Sequence, residues 1–317
     1  MRQNPESSLW NLLRGALATR TLGIVAELHV ADALAAGPRP VAEVARECGA
    51  DADSLHRFLR ALASDGIFAE VSPGVFANTE PSELLHSDSG WNDFARLFGG
   101  VWHHTAGELE ATGKPAFPRV FGAEFWPWLA AHPDERASFD RAMEQGKERR
   151  VDDLAEVEWR GDETVVDVGG GNGSLLVALL ARHPGLRGIV FDLPETNVDE
   201  ASLGDRCTFV AGSFFERVPA GDVYILSTIL HDWDDEHAAT ILRTIHAAAP
   251  ADARVLIIDS VVPAGNEPDG AKWLDLLMLA LFAGRERDEA QWKALLAGAG
   301  FEPVRIEKHL IEAVPLS

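Results

Sequence analysis

Cysteine is scarce in this sequence, with Cys48 and Cys207 as the two in 317 residues. Two cysteines cannot form the disulfide framework of a small secreted protein, so we expect a reducing compartment, the cytoplasm. Long apolar runs are missing as well. No stretch approaches the roughly 20 residues of a membrane span, and residues 1–6 lack the apolar segment of a signal peptide. The sequence therefore predicts a cytoplasmic protein with no membrane partner.

Positive charge is also in short supply. The chain has 28 Lys and Arg against 50 Asp and Glu, which gives a formal net charge of −22. A protein that binds a phosphate backbone needs clustered Lys and Arg, so we expect no nucleic-acid partner. The rest of the composition, 46% hydrophobic and 25% charged, is that of an ordinary globular chain. The length alone suggests two domains.

Residues 1–90 are predicted to form a mainly helical domain. Apolar residues at positions 55, 58, 59 and 62 give one face of a helix, with Asp53 as its expected N-cap. A β-hairpin is predicted over residues 67–78. Helices followed by a hairpin make a winged helix, which serves either in DNA-binding regulators or in subunit pairing. The second helix has no strong basic face and residues 9–30 are unusually apolar, so we favour a homodimerisation domain.

Residues 91–150 form a second predicted segment, which is helical and rich in Trp and Phe. Most of these aromatic side chains are expected in the core, and some could wall a flat apolar substrate. We therefore interpret the segment as a helical linker region that contributes to a substrate pocket.

From residue 151 to 317 the pattern changes to alternating strands and helices. This order predicts an α/β fold with a Rossmann-like, doubly wound and mostly parallel sheet. Only Lys308 and His309 separate the last two strands, so the final strand is expected to run antiparallel at or near an edge. The predicted strands cover residues 164–168, 188–191, 207–211, 222–227, 254–259, 303–307 and 310–314.

The segment from Thr164 to Ser174 has the sequence T-V-V-D-V-G-G-G-N-G-S. It predicts a buried strand, a glycine-rich turn and a helix, which together make a nucleotide cradle. The dinucleotide fingerprint G-x-G-x-x-G is absent, because Ser174 or Leu176 stands where its third glycine would fall. An acidic residue, Asp167, comes near the end of the strand and favours a ligand with a cationic or hydroxyl-rich part. S-adenosylmethionine (SAM) fits, since it has an amino acid tail, a sulfonium and a ribose.

Asp192 ends the next predicted strand, 19 residues after Gly173. In a βαβ unit an acid at that distance lies at the tip of the second strand, where its carboxylate can accept hydrogen bonds from both ribose hydroxyls. The alternative is a turn-forming Asp ahead of Leu193 and Pro194. In combination with the glycine turn, the position favours the ribose.

His231 follows the apolar run 222–226 and is expected just past the carboxyl end of a strand, where open α/β sheets bind ligands. An imidazole there suits a general base acting on a phenol. Asp259 and Glu286 are two candidates for the carboxylate that orients it. The acidic residues after His231 could instead hold a divalent metal, but they are typical of a helix N-terminus capped by Asp234 or Asp235. We therefore predict no metal.

These motifs resemble those of the SAM-dependent small-molecule O-methyltransferases of the plant caffeic-acid and isoflavone type, and most of all the actinobacterial branch that modifies polyketides and other natural products. The resemblance covers nearly the whole chain. It implies methyl transfer from SAM to a phenolic hydroxyl of an aromatic natural product or polyketide, release of S-adenosylhomocysteine (SAH), and a homodimer. The shared motifs are V-V-D-V-G-G-G-N-G at 165–173, D-L-P at 192–194, A-G-S-F-F at 211–215, L-H-D-W-D-D-E at 230–236 and G-R-E-R at 284–287.

The resemblance also implies a role for each matching residue. His231 is the expected base, and Asp259 and Glu286 are its flanking acids. Plant members usually have Asp where Ser213 stands and Lys where Ser227 stands, so the adenine contacts are expected to be weaker here or supplied by the backbone. The expected cofactor-binding residues are Asp167, Gly169, Gly171, Gly173, Asp192, Leu193, Gly212, Ser213, Phe214 and Ser227. The expected substrate-binding residues are Trp102, His103, Phe139, Met143, Asp232, Met278 and Phe282.

Other functions stay open at this point. Some relatives on this scaffold catalyse hydroxylation, decarboxylation or pericyclic steps with SAM retained, and N- or C-methylation would use the same cofactor site. A winged-helix regulator that senses SAM is a further alternative, and the net charge weighs against it. The sequence does not identify the acceptor or the hydroxyl that reacts.

Overall fold

The computed structural model describes residues 4–196 and 198–316. The chain divides into two compact units: the first runs to Glu108 and includes Ala131–Gln145, and the second comprises Leu109–Ala130 and the residues from Gly146 onward. The predicted middle segment, 91–150, is thus shared between the units. The three-part division into 1–90, 91–150 and 151–317 stays a prediction, and its residues 1–3, 197 and 317 lie outside the described part of the chain.

The chain starts with helices and later alternates between strands and helices. The helices are α1 (Pro5–Leu13), α2 (Gly15–Glu27), α3 (Val30–Ala33), α4 (Val41–Cys48), α5 (Ala52–Ser64), α6 (Glu80–Glu83), α7 (Gly90–Gly99), α8 (Val101–Gly107), α9 (Phe117–Phe121), α10 (Phe125–Ala130), α11 (Pro133–Met143), α12 (Lys147–Ala155), α13 (Ser174–Arg182), α14 (Glu200–Leu203), α15 (Asp235–Ala248), α16 (Ala271–Phe282) and α17 (Glu289–Gly298), with a 3₁₀ turn at Leu230–Asp232. The strands are β1 (Arg39–Pro40), β2 (Phe68–Ser72), β3 (Val75–Asn78), β4 (Thr164–Val168), β5 (Arg187–Asp192), β6 (Cys207–Ala211), β7 (Val223–Ser227), β8 (Arg254–Ile258), β9 (Phe301–Ile306) and β10 (Ile311–Pro315).

The first unit has the predicted helices and hairpin. Helix α5 buries Leu55, Leu59 and Leu62 on one face, and β2 pairs antiparallel with β3. The predicted N-cap was wrong. Asp51, in extended backbone, accepts a 2.8 Å hydrogen bond from the Ser54 N–H, and Asp53 lies in the first helical turn. Among the described residues, no helix is long and apolar enough to cross a membrane.

The second unit is built on a mixed sheet, and its described strands lie in the order β6-β5-β4-β7-β8-β10-β9. Strands β4 to β8 pair in parallel. Helices α15 and α17 bury their apolar sides on one face, and α12, α13 and α14 cover the other. The predicted Rossmann-like sheet is confirmed. Its strand order reverses between β4 and β7, which is the point where open α/β sheets bind ligands.

The last strand runs antiparallel near an edge of the sheet, as predicted. Strand β10 pairs with both β8 and β9, which leaves β9 outermost. The edge position explains how β9 accommodates Pro303, because a proline without an N–H is tolerated where no further strand needs that donor.

Candidate active site

The glycine turn follows β4 at the point where the strand order reverses. Gly169, Gly171 and Gly173 have φ of 73°, 56° and 79°, the left-handed region that favours glycine. A Cβ at Gly169 would lie 2.5 Å from the Ile229 side chain, and one at Gly173 would lie 2.7 Å from Leu203. A Cβ at Gly171 would meet nothing within 4 Å. Packing therefore requires two of these glycines, whereas Gly171 leaves open backbone that a ligand can approach.

Asp192, at the end of β5, holds this turn through its carboxylate. One oxygen accepts the Gly171 N–H at 2.8 Å, and the other accepts the Leu193 N–H at 2.7 Å and the Thr196 hydroxyl at 2.8 Å. A carboxylate has about four acceptor positions. Accepting both hydroxyls of a ribose would therefore require at least one of these protein donors to be released.

Asp167 is the clearest feature that fits a cationic ligand. Its side chain is buried under the glycine turn, and Oδ2 has no hydrogen-bond partner among the described residues. Burial raises the pKa of this carboxyl to about 7, and the nearby charge of Asp192 adds to the effect. An unsatisfied buried carboxylate is costly unless a donor reaches it. The amino acid end of SAM carries such a donor, so the residues present fit the cofactor.

The loop after β6 lies beside Asp192, because the Gly212 N–H donates to the Asp192 carbonyl at 2.9 Å. A Cβ at Gly212 would overlap the Phe191 ring, so this glycine is required by packing. The Ser213 hydroxyl accepts the Phe215 N–H at 3.3 Å. Two apolar side chains of this region could contact an adenine ring. Leu193 is 39% exposed, and Phe214 is half-buried. Ser227 ends β7, on the other side of the switch point.

His231 lies in the 3₁₀ turn that follows β7 and is buried. Its Nδ1 is 2.7 Å from Glu286 Oε1 and 3.9 Å from Asp259 Oδ1. Its Nε2 is 3.4 Å from Asp232 Oδ1. The structure therefore brings the predicted base and both flanking acids together, and it separates their roles. Glu286 makes the hydrogen bond that orients the ring, whereas Asp259 acts on it through charge.

These carboxylates change the proton affinity of His231. Burial alone would lower the pKa of the imidazole, but the charges of Asp259, Glu286 and Asp232 outweigh it and raise the pKa to about 10. Burial raises the pKa of Asp232 and of Asp259 to about 7, against the attraction of His231. With Nδ1 engaged by Glu286, the Nε2 atom is the one left to exchange a proton with a substrate.

The loop that carries Glu286 approaches His231 through a glycine. A side chain at Gly284 would overlap the backbone of His231 and Asp232, and the Arg285 N–H donates to the His231 carbonyl at 2.8 Å. Asp275 of α16 fixes the next residue by accepting the Glu286 N–H at 2.9 Å. The local fold therefore determines which of the two candidate acids touches the ring.

Sequence reasoning missed Arg287, which holds the turn that contains His231. Its guanidinium is fully buried and donates to the carbonyls of Leu230 and Trp233 at 2.9 and 2.8 Å. It also pairs with Asp235 at 2.9 Å. The G-R-E-R motif contains this residue, but nothing in the motif distinguishes a buried arginine from an exposed one.

The acidic stretch after His231 has a structural explanation. Asp234 is the N-cap of α15, and its side chain accepts the His237 N–H at 2.9 Å. Asp235 lies in the first turn, where the helix dipole favours negative charge. The prediction that Asp234 or Asp235 caps this helix is confirmed for Asp234.

Three of the predicted substrate residues belong to the second unit. Asp232 faces His231 Nε2, as given above. Met278 is buried in α16, the helix that packs against the 3₁₀ turn. Phe282 stacks on Trp126, with ring centroids 5.6 Å apart, and meets Phe125 edge-on. Met278 and Phe282 supply an apolar, partly aromatic surface in the unit that carries His231.

The other four predicted substrate residues belong to the first unit. Trp102 is buried against Phe98, with ring centroids 4.8 Å apart, and its indole Nε1 has no partner among the described residues. His103 follows on the same helix and is half-buried. Phe139 and Met143 lie on α11 and are also half-buried. Their roles in substrate binding stay predictions.

A Rossmann-like sheet with this glycine turn, and with a histidine and its carboxylates at the next strand end, defines a SAM-dependent methyltransferase. The chain belongs to the O-methyltransferase family. Residues 102–302 match the O-methyltransferase domain, and residues 10–88 match the O-methyltransferase dimerisation domain. The protein is thus a SAM-dependent O-methyltransferase with a dimerisation domain, which sets aside the alternative of a regulator.

Relatives match along most of their length. The chain is 38% identical to a phenazine O-methyltransferase of Lysobacter antibioticus, over 95% of this chain and 92% of the relative. It is 41% identical to the 2,7-dihydroxy-5-methyl-1-naphthoate 7-O-methyltransferase of Streptomyces carzinostaticus, over 87% of each. An O-methyltransferase from neocarzinostatin biosynthesis, solved with SAM and 2-hydroxy-5-methyl naphthoic acid, has a TM-score of 0.81 at 36% identity, covering 94% of this chain and 96% of that one. The chain therefore belongs with the O-methyltransferases of aromatic natural products.

Proposed function

We propose that this enzyme methylates a phenolic hydroxyl of a flat aromatic acceptor, with His231 as the base. The observation that carries the proposal is the 2.7 Å contact of His231 Nδ1 with Glu286. This contact fixes the imidazole ring of His231. It also directs Nε2 away from the Glu286 carboxylate and toward the position that the substrate would take. No such pairing would be needed if the histidine only filled space in a loop.

The cofactor side of the site is proposed from the residues around the glycine turn. The bound SAM supplies an electrophilic methyl group. The backbone at Gly171 leaves room for its approach, Asp167 accepts from the amino group, and Asp192 accepts from the ribose after releasing Thr196. The pocket for the adenine is proposed between Leu193 and Phe214, with backbone contacts at Gly212 and Ser213.

The proton affinity of His231 suits a phenol. An ordinary phenol has a pKa of ~10, and the pKa of His231 is raised to about 10. A proton is therefore held about equally well by the phenol oxygen and by Nε2, which is the condition for an easy transfer. Once His231 carries the proton, its positive charge stabilises the phenolate beside it, and Glu286 and Asp259 stabilise the imidazolium.

Asp232 is proposed to accept a hydrogen bond from the aromatic substrate, on the Nε2 side of the imidazole ring. Its Oδ1 lies 3.4 Å from Nε2, within reach of a second polar group beside the reacting oxygen. The ring of the acceptor is proposed to lie against Met278 and Phe282. Two of the relatives described above are named for a phenazine and a naphthoate, both flat polycyclic aromatics.

We further propose that the enzyme acts as a homodimer through its N-terminal helices. Helices α1 and α2 expose several large apolar side chains that a monomer would leave in water, and the family's dimerisation domain covers this region. The exposed apolar residues of these two helices are Leu9, Trp10, Leu12, Leu13 and Leu17, each at least 63% exposed.

Cytoplasmic location, expected from the scarcity of cysteine, stays a prediction.

The function is tested by separating binding from chemistry. Calorimetric titration of the wild type with SAM and SAH should give micromolar binding, about −8 kcal/mol, and Asp192→Ala should lose it. His231→Ala should keep that binding and lose most methyl transfer to phenolic acceptors. The matched control is His237→Ala, an exposed histidine on the same segment. Equal turnover by His231→Ala and wild type would show that the base is another group.

A further inference from the structure

A small cavity opens beside the proposed base. It has a volume of about 50 Å³, and His231 and Asp259 form part of its wall. The hydroxyl-bearing residues Thr228 and Ser260 line it as well. A water needs roughly 10–15 Å³ of such space, so the cavity takes about three to five waters. That is room for a small polar substituent of a ligand, and too little for an aromatic ring.

Three basic side chains also line the cavity. Arg149 and Arg150, on the first turns of α12, and His309, in the turn between β9 and β10, line it together. This concentration of basic side chains is unusual in a chain with a net charge of −22. Because His231 also favours its protonated form, the cavity attracts anions despite the carboxyl of Asp259.

The basic groups lie close enough to repel one another. Burial lowers the pKa of Arg150, and the charge of Arg149 lowers it further, with Asp167 acting in the opposite direction. Burial also lowers the pKa of His309, and Arg149 again adds to the effect. Arg149 itself has no ion pair with an acidic side chain in the described part of the chain. An anion placed between these groups would relieve the repulsion.

We propose that this cavity is a carboxylate-binding subsite for the acceptor, so that the preferred substrates are hydroxylated aromatic carboxylic acids. A carboxylate matches the planar donor fork of an arginine and accepts two parallel hydrogen bonds from it. It also matches the size of the cavity and can accept from the Ser260 hydroxyl, whereas the Thr228 hydroxyl already donates to the Ser227 carbonyl at 2.7 Å. SAM carries a carboxylate too, but His231 and Asp259 line this cavity, which assigns it to the acceptor. The inference rests on the proposed function, since it takes His231 to be the base.

The test compares an acid with its amide. A hydroxynaphthoic acid and the corresponding hydroxynaphthamide are supplied as acceptors to wild type, to Arg149→Gln and to Arg150→Gln. Wild type should use the acid at least tenfold better by kcat/KM, and the variants should bring the ratio close to one, mainly through KM. Arg243→Gln, on the exposed side of α15, is the matched control and should keep the wild-type ratio.

Binding gives a readout that does not depend on turnover. Calorimetric titration of the SAH-loaded protein with the acid should show affinity that Arg149→Gln and Arg150→Gln each weaken at least tenfold, while SAH affinity itself is unchanged. An unchanged acid-to-amide ratio in folded variants would overturn the subsite. If the variants lose SAH affinity and keep the wild-type acid-to-amide ratio, the arginines bind the carboxylate of the cofactor. That result would overturn the assignment of the cavity to the substrate. Acid binding without any methyl transfer by wild type would instead refute the proposed function and leave the subsite supported.

Discussion

Replacing Glu286 with Gln removes one negative charge from His231 while keeping the size of the side chain and a hydrogen-bond acceptor. The contact is short, 2.7 Å, and buried, so water screens it little. With the two charge centres about 4 Å apart and an effective dielectric constant of about 20, their interaction is worth about 4 kcal/mol. That energy corresponds to roughly a thousandfold in the proton affinity of the imidazole. We therefore expect a lower pKa for His231 in the variant.

The resulting loss of activity depends on pH. In the proposed mechanism, methyl transfer needs a phenolate beside a protonated His231. At a pH where His231 is protonated in both proteins, the imidazole first releases its proton to water and then takes the proton of the phenol. The net change moves one proton from the phenol to water, and its free-energy cost is the same in both proteins. Above the lowered pKa of His231, the rate of methyl transfer by the variant no longer rises with pH. The rate of the wild type, in which the pKa of His231 is about 10, keeps rising. Glu286→Gln should thus be close to wild type near pH 7 and roughly a hundredfold slower near pH 9.

Single-turnover methyl transfer between about pH 6.5 and 9.5 measures this difference, because it isolates the chemical step from product release. SAH affinity by calorimetry should be unchanged, since Glu286 is not among the proposed cofactor contacts. Glu302→Gln, exposed on the edge strand β9, is the matched control and should follow the wild-type curve. Parallel curves for Glu286→Gln and wild type over the whole range would refute the proposed link between the Glu286 charge and His231.

Three further outcomes are expected. Asp259→Asn should be more stable than wild type at pH 8 and similar to it near pH 4. The reason is that the pKa of Asp259 is raised to about 7, so the wild type loses stability as pH rises from about 4 through about 7; urea unfolding at both pH values checks this. Asp167→Asn should bind SAH at least about tenfold more weakly by calorimetry, and equal affinity would remove Asp167 from the cofactor site. Combining Leu13→Asp with Leu17→Asp should give a monomer by light scattering, and the exposed control Val304→Asp should not; a persistent dimer would exclude this surface.

Most of the sheet could be predicted from the sequence because local and long-range signals agree there. Strands β4 and β6 have the predicted bounds, since each is a run of apolar or β-branched residues between turn residues, interrupted in β4 by Asp167 alone. Strand β9 begins two residues earlier than predicted, at Phe301, with Pro303 inside it. The sequence could not show that Pro303 would lie on an edge, because strand order is set by packing of the whole sheet.

The choice between Asp51 and Asp53 as N-cap illustrates a different limit. Both are acidic residues just ahead of the same apolar helical face, so composition and spacing do not separate them. The backbone decides: Asp51 has φ of −71° and ψ of 128°, the extended conformation that an N-cap needs, and it reaches the Ser54 N–H. Such a difference of two residues depends on how the preceding turn closes.

In the site, the sequence predicts two flanking acids but not their separate roles. Glu286 and Asp259 are both candidates for the carboxylate that orients His231, and their distances of 2.7 Å and 3.9 Å from its Nδ1 distinguish them. The difference arises in the loop after α16, where Ala283 has φ of 60° and Gly284 allows close approach to His231. A non-glycine residue in the left-handed region is uncommon, and no spacing rule predicts it.

The same features explain why this end of the sheet is both strained and useful. Thr228, which leads into the turn of His231, also has a positive φ of 55°, and such residues cost about 1 kcal/mol or more each. Among the described residues, both oxygens of the buried Asp259 carboxyl and Oδ2 of the buried Asp167 carboxyl lack hydrogen-bond partners. The strained backbone and the buried carboxyls each oppose folding. A sequence selected for stability alone would have apolar or amide side chains in place of these carboxyls. Their presence at the strand ends, held by the rigid sheet and by the buried guanidinium of Arg287, therefore supports a binding and catalytic role more strongly than any one motif does.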